Sequence, residues 1–222
     1  MRGAFLAPLL LIAAGCGQTA QAETAVRAPA AETTSTEKPG LKTAVFAGGC
    51  FWGVEGVFSH VKGVTSAVSG YHGGTARTAT YEMVSGGQTG HAEVVRVKYD
   101  PAVVRYDQLL RVFFSVVADP TLVNRQGPDR GTQYRAALIP MDAGQKTVAA
   151  AYLQQLGKSG LWKAPIATRI ESYKGFHAAE AYHQDFMKKN PAHGYILRWD
   201  APKVEALKSL YPALYKAAYQ PG

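Results

Sequence analysis

Gly48-Gly49-Cys50-Phe51-Trp52-Gly53 sets a thiol beside two bulky aromatics, a combination that could do nucleophilic chemistry. A β-rich run over residues 42–47 stops at the glycine pair, and apolar residues at helical spacing follow as far as Val61. Cys50 is therefore expected where a strand meets a helix, next to the free N–H groups and positive dipole end of that helix. Such a setting lowers a thiol pKa from about 8.5 and enriches the nucleophilic thiolate. Only one of Phe51 and Trp52 can readily face a core, so the other is expected to line a pocket. A second cluster, Gly90-His91-Ala92-Glu93-Val94-Val95, carries a carboxyl into an apolar strand. Burial there would raise its pKa and keep its proton on, as a general acid requires. A third, Asp129-Arg130-Gly131-Thr132-Gln133-Tyr134-Arg135, is a polar loop ending in a tyrosine. Taken singly, each has an ordinary alternative. A lone cysteine is commonly a small buried hydrophobe, Glu93 could be solvated at a strand start, His91 could cap a turn, and Tyr134 could simply pack.

The elements that must position these groups follow from hydrophobic period. Strands are expected over residues 42–47, 64–71, 92–99 and 134–139, with helices over 51–61 and 106–117. The order strand–helix–strand–strand–helix–strand predicts an α+β, two-layer fold with a ferredoxin-like split βαβ core. A helix over 143–156, a strand over 166–173 and a helix over 178–189 extend it toward the C-terminus. Residues 75–90 and 119–132 lack a clear period and combine Gly with Tyr, Asp or Arg, which reads as long active-site loops.

The 222 residues, 47% apolar and 18% charged, suit one globular domain with an N-terminal tail. The net charge is +8, but no basic run exceeds Lys188-Lys189, so the density that grips nucleic acid is missing. The six histidines are scattered without metal-ligand spacing, and no metal is expected. Arg2 followed by an apolar run over residues 5–14 reads as an export signal over residues 1–22, too short for a permanent span. Two processing sites compete. Ala13-Ala14-Gly15-Cys16 resembles a bacterial lipobox that would acylate Cys16 and tether the protein in the periplasm; Ala20-Gln21-Ala22 fits ordinary cleavage and a soluble periplasmic protein. Residues 23–40, rich in Ala, Thr, Glu and Pro, read as a flexible linker, and residues 41–222 as the catalytic domain. Cys16 and Cys50 are the two cysteines. With Cys16 acylated or removed, the exported protein keeps one unpaired thiol.

The motifs around Cys50, Glu93 and Tyr134, together with Ser69-Gly70-Tyr71-His72-Gly73-Gly74, Asp119-Pro120-Thr121, Asn124-Arg125-Gln126-Gly127 and Glu180-Ala181-Tyr182-His183-Gln184, resemble the successive signatures of A-type peptide methionine sulfoxide reductases. They occur in that family's order, at similar spacing, from about residue 42 to 215. The resemblance implies reduction of the S epimer of methionine sulfoxide in proteins and peptides and of free methionine sulfoxide, with no bound cofactor, by a monomer. It implies Cys50 as the thiolate that attacks the sulfoxide sulfur and Glu93 as the acid that protonates the oxygen. Tyr81 and Tyr134 would hydrogen-bond that oxygen, Phe51 and Trp52 would enclose the S-methyl group, and Asp129 would orient the substrate. Many members carry a further cysteine before the Thr-Gly-His-Ala-Glu signature, where this chain has Ser85, and a resolving cysteine near the C-terminus, where it has none. The chain therefore resembles a single-cysteine subtype, whose Cys50 sulfenic acid an external thiol must resolve. That thiol would be a small molecule or a thioredoxin-like or glutaredoxin-like protein. A peroxide-reducing thiol enzyme and a non-catalytic peptide-binding lipoprotein are the competing readings.

Overall fold

The computed structural model describes residues 25–222; the export signal and Cys16 lie outside the described residues. The chain begins with β1 (Lys42–Gly48), α1 (Phe51–Ser59), β2 (Val64–His72), α2 (Tyr81–Ser85), β3 (Ala92–Tyr99) and α3 (Tyr106–Val112). A short hairpin of β4 (Arg125–Gln126) and β5 (Asp129–Arg130) precedes β6 (Ala136–Ile139) and α4 (Ala143–Lys158). The C-terminal part adds β7 (Arg169–Ile170), β8 (His177–Ala178), α5 (Phe186–Lys189) and α6 (Ala201–Leu210).

One sheet orders its strands β7-β6-β1-β3-β2-β8. Its central four, β6-β1-β3-β2, pair antiparallel with one another. This is the expected ferredoxin-like core, and the parallel pairing of β6 with β7 makes the sheet mixed.

Alternation along the strands decides what faces what. Ala44 and Phe46 of β1 join Val95 and Val97 of β3 in the core beneath the helices, where Phe46 stacks on Phe58 of α1 at 4.8 Å. Val45, Ala47, Ala92, Val94, Ala137 and Ile139 form the opposite face, covered by Phe176. Glu93 is in phase with Val95 and Val97, so the sheet turns its carboxyl toward α1. That phase builds the site.

Residues 25–40 do not behave as a flexible linker. They lie as an extended strap across α3 and α4, with Ala28 and Ser35 buried. Ser115 accepts from the Val26 and Ala28 N–H groups at 2.9 and 3.0 Å, Tyr152 of α4 donates to Pro29 O at 2.7 Å, and Gln155 donates to Ala30 O at 2.7 Å. Glu37 accepts from the Tyr106 N–H, at the start of α3, at 3.0 Å and from the Tyr99 phenol. Polar composition concealed this, because the strap is held by its backbone and a few short side chains rather than by an apolar stripe.

Two C-terminal expectations are also corrected. The strand over residues 166–173 shrinks to the two residues of β7, and the helix over 178–189 survives only as α5. Asp185, at φ 54°, interrupts any longer helix, while Glu180, His183 and Gln184 are engaged with neighbouring elements. Among the described residues no helix is long and apolar enough to cross a membrane.

Candidate active site

Cys50 is the N-cap of α1, reached from β1 through Gly49 at φ 85°. A side chain at Gly49 would place its Cβ 2.5 Å from Gln126 Cβ, so both the conformation and the space demand glycine. Gln126 is itself fixed by two bonds to the backbone of Asp119, at 3.0 and 2.9 Å. The thiol is only 9% exposed. Here the structure reverses an expectation. The helix start does supply a hydrogen bond from Trp52 N–H that favours the thiolate, but burial, followed by the negative charges of Glu93, Asp200 and Asp129, pushes the Cys50 thiol well above its ordinary value. Cys50 rests as a thiol.

Glu93 is 2% exposed, and its Oε2 accepts from Phe51 N–H at 2.9 Å. Burial, aided by Asp129 and Asp200 and opposed by that N–H, pushes its carboxyl up to about 8. At neutral pH it is mainly a carboxylic acid, held against the first turn of the helix that Cys50 caps.

Tyr81 begins α2, and its backbone N–H donates to Glu180 Oε1 at 2.9 Å while the Tyr71 phenol donates to Oε2 at 2.9 Å. Tyr134 ends a 3-10 turn (Thr132–Tyr134) tied to the α2 loop by Gln133 donating to Ser85 O at 3.0 Å and Thr132 donating to Gly87 O at 2.9 Å. Both phenols are raised by burial and then by the charge of Glu93, with Cys50 a further contributor to each. They remain O–H donors throughout the physiological range.

Phe51 is buried against Tyr71 and His183, with ring centroids at 5.8 and 5.0 Å. Trp52 is half-buried and stacks on Phe186 at 3.7 Å, so of this aromatic pair Phe51 takes the core and Trp52 stays partly exposed. The Trp52 indole donates to His183 Nδ1 at 3.1 Å, which leaves the proton of the neutral ring on Nε2. Asp129 accepts from the Tyr195 phenol. His91 takes the ordinary role of pinning a turn, through Gly74 N at 3.2 Å and Thr75 O at 3.0 Å.

All seven sequence-selected residues thus lie on the elements around α1's first turn. Sequence reasoning gave no role to Glu180 or His183, although both stood in a recognised motif, and it passed over Tyr195 and Asp200. Their only legible signal was polarity within an otherwise helical pattern. Among the described residues no group of three or more His, Cys, Asp or Glu could hold a metal.

The family model for peptide methionine sulfoxide reductase matches residues 42–213. The chain belongs to that family. It is 57% identical to a peptide methionine sulfoxide reductase MsrA 2 of Mesorhizobium japonicum, over 80% of this chain and 91% of the relative. A second MsrA 2, from Synechocystis, is 50% identical over 82% and 86%. Among solved structures, reduced Mxr1 of Saccharomyces cerevisiae matches with a TM-score of 0.61 at 35% identity, covering 72% of this chain and 92% of that one. Methionine sulfoxide reductase A of Corynebacterium diphtheriae matches with a TM-score of 0.58 at 30% identity, covering 77% and 89%. In this member of the peptide methionine sulfoxide reductase family, one buried thiol, one protonated carboxyl, phenolic donors and an aromatic wall are gathered at one helix start.

Proposed function

We propose that Cys50 is the nucleophile with which this peptide-methionine (S)-S-oxide reductase removes oxygen from oxidised methionine. The observation that carries the assignment is the Glu93 carboxylic acid, fixed on Phe51 N–H directly beside the Cys50 N-cap. A sulfoxide oxygen is a poor leaving group until protonated, and Glu93 supplies the proton. Tyr81 and Tyr134 donate to the same oxygen, where a preplaced donor is worth on the order of 3 kcal/mol in comparable sites. Once Glu93 has given its proton, its carboxylate can take the one on Cys50 and release the thiolate for attack. Phe51 and Trp52 enclose the methyl group, and Asp129, steadied by Tyr195, orients the substrate backbone. In the net step the substrate S–O bond breaks and a Cys50 S–O bond forms. The methionine sulfur gains the electron pair that Cys50 loses, and the thiol hydrogen ends on the sulfenic acid oxygen.

The single-cysteine subtype is part of the proposal. With Cys16 acylated or cleaved off, Cys50 finds no second thiol in its own chain, so an external thiol reduces the sulfenic acid. A thioredoxin-like or glutaredoxin-like protein, or a small thiol, would serve. The apolar run over residues 5–14 and the two processing signals after it support export to the periplasm, with Cys16 as the lipid attachment point.

Incubating the reduced protein with a methionine sulfoxide peptide and no reductant should give one turnover and a Cys50 sulfenic acid in the mass spectrum. An internal disulfide would overturn external resolution. Cys50→Ser should abolish turnover and leave peptide affinity nearly unchanged; retained turnover would remove Cys50 from the mechanism.

A further inference from the structure

Behind the reacting thiol lies an ion pair to which the mechanism gives no task. Asp200 and Lys203 stand at the start of α6, with Lys203 Nζ 3.5 Å from Asp200 Oδ1. Asp200 is 0% exposed, and apart from the Lys203 ammonium neither of its carboxylate oxygens has a hydrogen-bonding partner. The pair is pressed against α1 at Gly53, three residues after Cys50. A Cβ on Gly53 would lie 2.2 Å from Asp200 Oδ1 and 3.2 Å from Lys203 Nζ. The first turn of α1 has therefore given up a side chain to admit a carboxylate. An isolated buried carboxylate is costly, and a nearby ammonium and the positive end of a helix offset that cost. The same helix end is what would stabilise a Cys50 thiolate, so the two anions compete for one field.

We propose that Asp200 is a positioning residue that keeps Cys50 in its protonated, unreactive form while the site is empty, and that Lys203 sets the strength of that hold. The inference deepens the reading of Cys50 as nucleophile and rests on it. Other groups act on the sulfur from the surrounding elements: Trp52 N–H of α1, Glu93 of β3, Asp129 of β5, and the phenols of Tyr81, Tyr134 and Tyr195. Asp200 is set apart from them by its packing against Gly53 of α1 and its pairing with Lys203. Its charge opposes deprotonation of the thiol and of Glu93 alike. Both protons then stay in place until a sulfoxide oxygen arrives to accept one. A thiol held this way is a poor target for peroxides and alkylating agents, which attack the thiolate.

The test is the pH dependence of Cys50 alkylation by iodoacetamide, followed on the Cys50 peptide by mass spectrometry in the reduced full-length protein. Asp200→Asn removes the negative charge while Lys203 stays in place, so the inflection should move to lower pH by about one unit, with alkylation at pH 7.5 roughly tenfold faster. Lys203→Met should move it to higher pH, because Asp200, itself pushed up only to about 6, is ionised wherever the thiol titrates. Shifts in opposite directions support the proposal. Inflections that coincide with wild type, or that move together as a loosened site would make them, overturn it. Should Asp200→Asn fail to fold, the Lys203→Met profile decides alone, an upward shift supporting the proposal and an unchanged one ending it. Alkylation reports on Cys50 whether or not sulfoxide is turned over, so failure here leaves the nucleophile assignment standing.

Discussion

Glu93 shows how one buried proton sets the working range of the site. Its carboxyl is pushed up to about 8 chiefly by burial, so it is an acid below that pH and a carboxylate above it. The acid form is the one required. The kcat/KM for a methionine sulfoxide peptide should therefore hold steady through neutral pH and fall as pH rises through about 8. A rate that instead climbed with pH, following thiol ionisation, would contradict this. Glu93→Gln keeps an acceptor for Phe51 N–H but has no proton to give, and kcat should drop by about 10²- to 10⁴-fold with the fold unchanged by circular dichroism. The desolvation of Glu93 was legible beforehand, because Val94 and Val95 follow it directly. The acidity of Cys50 was not. Its helix start can be read locally, but the opposing carboxylates at positions 129 and 200 reach it only through the folded chain.

At the scale of elements, the four central strands and the first two long helices could be read from hydrophobic period, since each buries one face against the other layer. Where side chains serve the site instead of a core stripe, period misleads. Residues 178–189 show this: Glu180 binds Tyr81 N–H and Gln184 binds the Ser69 backbone, so the polar positions of the supposed helix point to different partners. α6 went unnoticed although Pro202 at its start is a recognised helix-opening signal. The strap over residues 25–40 gives a direct prediction. A chain beginning at Leu41 loses the Tyr106 N–H bond to Glu37, the Ala28 N–H bond to Ser115, and the bonds from Tyr152 and Gln155 to the strap carbonyls. At about 1 kcal/mol net for each bond, thermal unfolding should come roughly 8–16 °C earlier. Equal melting temperatures for the two chains would show that the strap contributes nothing.

For the molecule as a whole, buried carboxyls make stability depend on pH in a stated direction. Burial pushes Glu93 and Glu55 up to about 8 and Asp200 up to about 6. The folded protein therefore binds these protons more tightly than the unfolded chain does, and their contribution, full below the ordinary carboxyl range, is lost as pH rises from about 4 to about 6 for Asp200 and to about 8 for Glu93 and Glu55. In spite of burial, hydrogen bonds lower Asp107 through Arg105, Glu171 through Arg135 and Glu180 through Tyr81 N–H, and that contribution is lost in strong acid. Burial also holds His60, His72, His91 and His183 below the ordinary imidazole range, which adds stability as pH rises to about 6.5. The melting temperature should therefore decline from about pH 6.5 to about pH 8, where only the carboxyl losses remain. A flat or rising profile across that interval would refute it. The docked strap also bears on where the enzyme can work. Were Cys16 fastened to a lipid, a free chain reaching to Leu41 would give the domain a leash of about 85 Å, at roughly 3.4 Å for each of its residues. With the chain docked from Val26 onward, the ten residues after Cys16 can span at most about 34 Å, comparable to the hydrocarbon thickness of a bilayer. Damaged proteins would then have to come to the membrane surface to be repaired, because the enzyme could not reach far out to them.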